Sequence, residues 1–179
     1  KKRKSLKKAL LADGTSRIRK KIAVFGGSTT SDIVKTLELF LLDAGIEPEF
    51  YESEYAQYFQ DAMFPDETLL SFKPDIVFIH TTNRNVTDWP EMTDTMEQID
   101  EKLHTEINRF TAMWKNIAEK FHCPIIQNNF ELPYYRTLGN RDAYDIHGKT
   151  NFIAQLNMKF YSYAQNHSSF FINDIQYLS

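Results

Sequence analysis

Four consecutive hydroxyl side chains, residues 28–31, follow two glycines at the point where an apolar stretch of the chain ends. A serine at such a turn, here Ser28, could act as a nucleophile. Alternatively, free backbone N–H groups at the start of a following helix could bind an anion. Neither nucleotide fingerprint, G-x-x-x-x-G-K-S/T or G-x-G-x-x-G, occurs in the chain. The spacing of Thr29 and Asp32 is also that of a capping box, in which the hydroxyls only satisfy helix donors. All three interpretations are open at this point.

Polar side chains are also concentrated after the other predicted strands. They occupy residues 52–55, 80–85 and 127–131. In parallel α/β sheets, ligands bind beyond the carboxyl ends of the strands, which meet at one edge. We therefore predict one crevice at this edge, formed by Ser28, Asn83, Asn85, Asn129 and Glu131. Gly27 and Thr29 are expected to contribute to its wall.

Three arginines near these strand ends are candidate contacts for an anion, because a guanidinium group pairs well with phosphate or carboxylate. They are Arg84, Arg136 and Arg141. For each one taken singly, a surface salt bridge is the competing interpretation.

The elements that must position these residues follow from the apolar pattern, which alternates between short β-rich runs and longer helical stretches. Predicted strands cover residues 21–27, 48–53, 75–81, 123–130 and 169–178, and predicted helices cover residues 31–45, 94–121 and 151–165. The third strand is expected to be fully buried. We therefore predict a three-layer α/β/α fold around a five-stranded parallel sheet of flavodoxin-like order.

Two segments allow more than one interpretation. The apolar seam of residues 94–121 could form a coiled coil, but a helix that crosses the sheet with one broad face is favoured. Residues 55–72 indicate a broken helix. Its aromatic residues Tyr55, Tyr58, Phe59 and Phe64 could form a docking surface, although burial in the core is favoured.

Charge is distributed unevenly along the 179 residues. Residues 1–21 contain ten Lys or Arg against the single acid Asp13, and the remainder is acidic. Because no basic face continues this segment, nucleic-acid binding is not expected. Residues 1–20 are interpreted as a basic lead-in helix that ends at Gly14, and residues 21–179 as the α/β domain.

Composition excludes several classes of protein. Cys123 is the only cysteine, so neither an intramolecular disulfide nor a cysteine-based metal site is possible. No apolar run reaches the roughly 18 residues that a membrane-spanning helix requires, and no secretory signal pattern opens the chain. We expect a cytoplasmic protein that has no metal site and does not bind a membrane.

The pairing of Ser28 with Asn83 resembles the SGNH (GDSL-type) hydrolases, in which a serine after the first strand and a later asparagine serve as nucleophile and oxyanion donor. This resemblance makes Ser28 the candidate nucleophile and Asn83 the candidate oxyanion donor. The sequence departs from the pattern at Gly27, where the family has aspartate, and at Arg84, where aspartate is common. No glycine near Ser53 matches the second family block.

The general base of that family is not found at its expected place. The family carries an Asp-x-x-His block after the fifth strand, where this chain has Asp174 followed at the third position by Tyr177. His80, His122 and His147 lack the expected context. A serine without a base is activated poorly.

A longer resemblance covers roughly residues 21–178. The runs GGSTTSDI, LELFLLDAGIEPEFYESEYAQYFQDAM, FKPDIVFIHTTNRN, QNNFELP and LGNRD resemble the N-terminal part of FkbH-like proteins, subfamily IIIC of the haloacid dehalogenase (HAD) superfamily. In that family an SGNH-like front domain precedes a phosphatase domain. The phosphatase signature Asp-x-Asp-x-Thr-Leu does not occur in this sequence.

The resemblance implies a front domain that binds substrate or partner, in an enzyme that dephosphorylates an activated glycerate and loads the glyceryl group onto a carrier protein. The implied partners are an acyl carrier protein and a small phosphorylated or acyl substrate. No cofactor is implied for this part, and Mg²⁺ is expected only for the phosphatase domain. Two alternatives are open: a GDSL-type esterase that uses Ser28, and a scaffold that positions neighbouring domains.

Overall fold

Five parallel strands form one sheet in the computed structural model, which describes residues 2–178. They are β1 (Ile18–Gly26), β2 (Ile46–Glu52), β3 (Ile76–His80), β4 (Ile125–Asn128) and β5 (Phe170–Asn173). The strand order is β2-β1-β3-β4-β5, and every neighbouring pair is parallel. The predicted α/β class and flavodoxin-like order are therefore confirmed.

Helices connect the strands and flank the sheet. They are α1 (Lys2–Ala12), α2 (Ser31–Asp43), α3 (Tyr58–Met63), α4 (Glu67–Phe72), α5 (Met96–Phe121) and α6 (Lys149–Gln165), with short 3-10 turns at Asn83–Asn85, Gly139–Ala143 and Gln176–Leu178. Because crossovers between parallel strands are right-handed, the β1–β2 connection places α2 on one face. The later connections place α3 to α6 on the other face.

The long helix α5 crosses the sheet, as predicted, and its buried side chains form the centre of the core. Trp114 has no exposed surface, and its ring centroid lies 4.8 Å from that of Phe160 and 4.6 Å from that of Phe170. The Trp114 indole N–H donates to Gln127 Oε1 at 2.9 Å, so the one polar atom of this large side chain is satisfied inside the core. The helix begins at Met96 behind a capping box formed by Thr95 and Gln98.

Three details of the predicted strands are wrong. β1 begins at Ile18, before the predicted start at Lys21. β5 ends at Asn173, because the backbone N–H groups of Ile175 and Gln176 donate to Asn129 Oδ1 and turn the chain away. β3 is not fully buried: Val77 and Ile79 are, whereas alternate residues on the α2 side, such as Phe78, are only half-buried. The side chains of α2 cover that face incompletely and leave an apolar cavity of about 370 Å³.

The broken helix predicted for residues 55–72 is present as α3 and α4. Its aromatic residues divide between core and surface. Tyr58 is buried and Phe59 packs partly against the core, whereas Tyr55 and Phe64 are exposed. The burial predicted for this group therefore holds for only part of it.

The basic segment forms α1, which lies on α2. Ion pairs join Arg3 to Asp32 at 2.7 Å and Lys7 to Glu38 at 2.6 Å. The strongest attachment is Arg17, whose side chain is only 6% exposed. Its guanidinium donates to the backbone oxygens of Leu42 at 2.8 Å and Leu10 at 2.7 Å, so one cation joins the carboxyl ends of both helices.

We expect Arg17→Ala to lower the free energy of unfolding by about 1.5–3 kcal/mol, because hydrogen bonds to charged groups contribute on that scale. Arg19→Ala is the matched control, since the Arg19 side chain is 87% exposed and only its ion pair with Glu47 is lost. That change should cost at most about 1 kcal/mol. Urea unfolding of the three proteins measures the difference, and amide exchange should accelerate in α1 only for Arg17→Ala. Equal effects of both changes would contradict the assignment.

Candidate functional site

The turn after β1 is held by a neighbouring strand end. The Gly27 N–H donates to His80 O at 2.9 Å, and the Gly27 carbonyl accepts from Asn85 Nδ2 at 2.9 Å. A Cβ at position 27 would lie 2.4 Å from Asn85 Oδ1, so any larger residue here would have to displace the Asn85 amide. Ser28 is half-buried beside this contact, and Thr29 is exposed.

The interpretation of Thr29 and Asp32 as a capping box, one of the three left open by the sequence, does not hold. The helix begins at Ser31, so Thr30 occupies the capping position, and its side chain makes no capping hydrogen bond. The Thr30 hydroxyl instead donates to Glu52 Oε1 at 2.6 Å, which ties the turn to the end of β2. Asp32 pairs with Arg3. The Thr30 hydroxyl therefore positions the turn rather than capping α2.

Asn85 has a second role in the loop after β3. Its Oδ1 accepts from the Thr82 N–H at 2.9 Å, while Thr82 Oγ1 accepts from the Arg84 N–H at 3.3 Å. These bonds form a small capping box around the 3-10 turn Asn83–Asn85. One asparagine thus shapes its own loop and binds the turn that carries Ser28.

The predicted site residues form hydrogen bonds in separate pairs. Asn83 faces the segment after β4, where its N–H donates to Glu131 Oε2 and its Nδ2 to Glu131 O, both at 3.2 Å. Asn129 lies further along the edge and donates to Asp174 Oδ1 at 2.6 Å. One of the two Nδ2 hydrogens of Asn83, the expected oxyanion donor, is therefore used by Glu131 O.

The segment expected to hold a general base is a structural turn. Asp174 accepts from Asn129 Nδ2 and from the Tyr177 N–H, the latter at 3.2 Å. Asn157 donates to Gln176 Oε1 at 3.0 Å from α6. Tyr177 itself is exposed.

The histidines considered as bases occupy three different environments. His80 Nδ1 lies 2.7 Å from Asn128 Nδ2, which can only donate, so Nδ1 is the acceptor and the ring is neutral. Burial lowers the pKa of His80 below its usual value. Asn128 Oδ1 in turn accepts from Asn173 Nδ2 at 2.7 Å. The result is a ladder of side chains across β3, β4 and β5.

His147 and His122 are also committed elsewhere. His147 Nε2 lies 3.0 Å from Asp94 O and its Nδ1 2.9 Å from Asp145 Oδ1. The Asp94 carbonyl and the Asp145 carboxylate raise the pKa of His147. His122 follows α5 and precedes β4, so it lies at the amino edge of the sheet, opposite Ser28.

A buried ion pair fixes the loop after β3 to α5. Glu106 has no exposed surface, and its Oε2 accepts from Arg109 Nη2 at 2.7 Å. The same Arg109 donates to Asn85 O and to the Tyr58 hydroxyl, both at 2.8 Å. Both the N–H and the hydroxyl of Thr87 donate to Glu106 Oε1. Sequence reasoning missed this pair, because both residues occupy polar positions within a helix dominated by its apolar seam.

An open cleft of about 510 Å³ lies beside this loop, at the carboxyl edge of β3 and β4. Its lining includes the predicted residues Asn83, Arg84 and Glu131. It also includes residues that sequence reasoning missed, namely Trp89, Leu132, Pro133, Tyr134, Tyr135, Thr137 and Lys149. The adjacent aromatic residues Tyr134 and Tyr135, directly after the predicted fourth strand, were the one signal that the sequence offered, and both side chains are exposed.

Of the other two candidate arginines, Arg141 forms the surface ion pair that was the competing interpretation, 2.5 Å from Asp145. Arg136 is exposed and does not line the cleft. Across residues 2–178, no group of three or more His, Cys, Asp or Glu side chains could hold a metal ion. None of the described helices is long and apolar enough to span a bilayer.

Comparison with known proteins identifies the family. The model of the FkbH N-terminal domain matches residues 21–179. The chain belongs to this family. No curated protein matches it significantly.

Solved structures share the fold of this FkbH N-terminal domain. The N-terminal part of the protein BF1531 from Bacteroides fragilis, which contains a phosphatase domain complexed with Mg, superposes with a TM-score of 0.79 at 18% identity. The match covers 99% of this chain but only 46% of that one. A presumed acylhydrolase from Bacteroides fragilis has a TM-score of 0.51 at 16% identity, over 98% of this chain and 77% of that one. The SGNH-like fold predicted from the sequence is thereby confirmed.

Removal of the buried Glu106 carboxylate should destabilise the domain strongly. Glu106→Ala leaves the Arg109 charge, whose side chain is only 17% exposed, without its carboxylate partner. Loss of one partner of a buried ion pair typically costs about 3–5 kcal/mol of stability. Glu101→Ala, at an exposed position of the same helix, should change stability by less than about 0.5 kcal/mol. Denaturant unfolding of both variants and wild type provides the test. A loss for Glu106→Ala no larger than that for Glu101→Ala would show that the pair does not hold the loop.

The environment of His80 predicts a direction for the pH dependence. Because the folded-state pKa lies below the unfolded value near 6.5, the unfolded chain binds the proton more readily in the interval between them. Stability should therefore be complete above pH 6.5 and fall as the pH drops through that interval. NMR titration of the His80 ring measures the pKa, and Asn128→Asp should raise it by placing a carboxylate beside Nδ1. A wild-type pKa above 6.5 would contradict this account.

Proposed function

We propose that this FkbH N-terminal domain is a binding module within a larger phosphatase and glyceryl-transferase enzyme, and that it does not itself hydrolyse esters. One observation carries the proposal: the groups that could serve Ser28 as general base or as oxyanion donor make hydrogen bonds elsewhere. His80 accepts from Asn128, His147 lies between Asp145 and Asp94, and Asn83 is bound to Glu131. A serine hydroxyl is almost wholly protonated at neutral pH, so it needs such a base.

The comparison with BF1531 supports the proposal that this domain is part of a larger enzyme. That protein contains a phosphatase domain with Mg, and the present chain spans 46% of its length. By analogy, the dephosphorylation and its Mg²⁺ belong to a phosphatase domain outside residues 1–179. The front domain then binds a small phosphorylated or acyl substrate, or an acyl carrier protein, and presents it to the phosphatase domain. The proposed location is the cytoplasm.

The competing function is a GDSL-type esterase. Its support is the position of Ser28, half-buried in the turn after β1 and next to the Gly27–Asn85 contact. Backbone N–H groups at this turn could stabilise an oxyanion even without a base. Any such activity would be slow, because general-base assistance contributes typically about 10²–10⁴-fold.

Hydrolysis of p-nitrophenyl acetate distinguishes the two functions. We expect the same background rate for wild type, for Ser28→Ala and for the control Thr29→Ala, which removes the neighbouring exposed hydroxyl. Rapid turnover that is abolished by Ser28→Ala and kept by Thr29→Ala would overturn the binding-module proposal. In that case His80→Gln and His147→Gln, assayed in parallel, would identify which ring serves as the base.

A further inference from the structure

His147 lies between two hydrogen-bond acceptors that belong to different parts of the chain. Its Nδ1 lies 2.9 Å from Asp145 Oδ1, within its own turn before α6, and its Nε2 lies 3.0 Å from the backbone oxygen of Asp94, in the turn of residues 91–94 before α5. A carbonyl oxygen and an ionised carboxylate only accept. A neutral imidazole has one N–H and an imidazolium has two, so only the protonated ring satisfies both acceptors.

The charges around the ring leave both acceptors in place. The backbone N–H and the ring of His147, together with Arg141, hold the pKa of Asp145 below its usual value, so this carboxylate is ionised near neutral pH. Arg141 pairs with Asp145 Oδ2, and Lys102 pairs with Asp94 Oδ2 at 2.9 Å. Neither cation therefore binds the oxygen atom that faces the ring. The other charged residues of these turns and of the helices that follow them include Asp88 and Lys149.

The two acceptors differ in strength, and this difference decides which bond is lost on deprotonation. A hydrogen bond to a carboxylate is stronger than one to a neutral carbonyl. The single N–H of the neutral ring therefore stays at Nδ1, facing Asp145, and Nε2 presents a lone pair to Asp94 O at 3.0 Å. Deprotonation thus removes the contact between the two turns and keeps the contact within one of them.

The turn that carries His147 is fixed independently of its ring. Asp142 has no exposed surface, and its Oδ2 accepts from the Thr150 N–H at the start of α6 at 2.8 Å. The Gly148 N–H donates to Asp145 O at 2.9 Å, and a Cβ at Gly148 would collide with the backbone of Asp142. Loss of the bond to Asp94 should therefore leave this turn in place.

The 91–94 turn, in contrast, is mostly exposed and has few attachments. Within it, the Asp94 N–H donates to Glu91 O at 3.0 Å and the Glu91 N–H to Asp94 Oδ2 at 2.7 Å. Among the residues that the structure describes, two side chains tie it to the rest of the domain, Lys102 through the Asp94 carboxylate and His147 through the Asp94 carbonyl. The Asp94 carboxylate raises the pKa of Lys102, so that ion pair persists near neutral pH. Only the His147 contact can respond to pH in this range.

We propose that His147 is a pH-sensitive latch, which holds the 91–94 turn against the domain when its ring is protonated and releases the turn when the ring is neutral. The latch goes beyond the binding role proposed above and does not depend on it. The turn follows Trp89, which lines the cleft, so the latch makes the mobility of the chain beside this wall depend on pH.

The sign of the effect follows from the two acceptors. The Asp94 carbonyl and the Asp145 carboxylate raise the folded-state pKa of His147 above the unfolded value near 6.5. The contribution of the latch is therefore complete below pH 6.5 and is lost as the pH rises through the folded-state pKa. His80 has the opposite sign, because its folded-state pKa is lowered. A loss of stability at low pH thus reports on His80, whereas release of the turn at high pH reports on His147.

Amide hydrogen exchange of the whole chain, measured from below pH 6.5 to above the His147 pKa that NMR gives, tests the proposal. Rates are corrected for the intrinsic pH dependence of exchange. We expect protection of the Glu91 and Asp94 N–H groups to fall by about 2- to 10-fold through the His147 titration, the scale of one hydrogen bond. The Val77 N–H, which donates to Pro124 O within the sheet, is the internal reference and should not follow that titration.

Three variants identify the responsible group. His147→Gln removes the titration, so protection in the 91–94 turn should stay constant over the same pH range. Asp145→Asn removes the carboxylate that favours the proton, so the transition should move to lower pH together with the His147 pKa. His104→Gln is the matched control, because this histidine is exposed on α5 and its ring contacts only Asp100 O of its own helix among the described residues. Unfolding midpoints establish that each variant is folded.

Several outcomes would overturn the latch. Protection that stays constant through the wild-type His147 titration would do so, as would a transition that persists in His147→Gln or is lost in His104→Gln. A His147 pKa below 6.5 in the folded chain would reverse the sign and exclude the latch as well. None of these outcomes depends on the esterase assay, so the latch and the binding role fail separately.

Discussion

The buried ion pair between Glu106 and Arg109 is the contact on which the carboxyl edge of this domain depends. Taking two charges out of water costs several kcal/mol per ion unless hydrogen bonds satisfy their remaining atoms. Glu106 meets this condition through Thr87 and Arg109. Arg109 meets it only in part: Asn85 O and the Tyr58 hydroxyl accept from its terminal nitrogens, whereas its buried Nε has no partner. The Arg109 guanidinium also lies 4.5 Å from the centre of the Phe110 ring. The pair joins α5, α3 and the loop after β3, so it sets where Asn83 and Asn85 stand.

From this anchor, amide side chains connect the strand ends in sequence. Asn85 contacts Gly27, Asn83 contacts Glu131, and Asn128 joins His80 to Asn173. An amide can donate and accept at once and has no charge to desolvate, which suits it to the partly buried edge of a sheet. Most of the polar residues here therefore have structural partners.

The two faces of the sheet differ because connections between parallel strands are right-handed. Helices α3 to α6 cover one face with a dense aromatic core around Trp114 and Phe160. On the opposite face, α2 leaves Phe78 half-buried beside the apolar cavity. This asymmetry is a consequence of chain order and explains why β3 is buried on alternate residues only.

The sequence by itself determined the class of fold, the strand order and the path of α5, because these follow from apolar periodicity and from the rules of parallel connections. It also determined the family, through motifs spread over residues 21–178. The sequence also located the polar edge of the sheet. The prediction drawn from it overestimated how many polar side chains at that edge are accessible to a ligand. Gln127, Asn128 and Asn129 are all buried, with partners on other elements.

Only the tertiary structure decided which of these side chains are paired. Asn83 and Glu131 are 48 positions apart in the chain, and Arg84 and Lys149 line one cleft only because β3, β4 and the start of α6 converge there. A hydrogen bond requires donor and acceptor within about 3 Å and a suitable angle. Composition and spacing carry no such geometric information for residues so far apart, so the division between structural and ligand-accessible polar groups emerges only on folding.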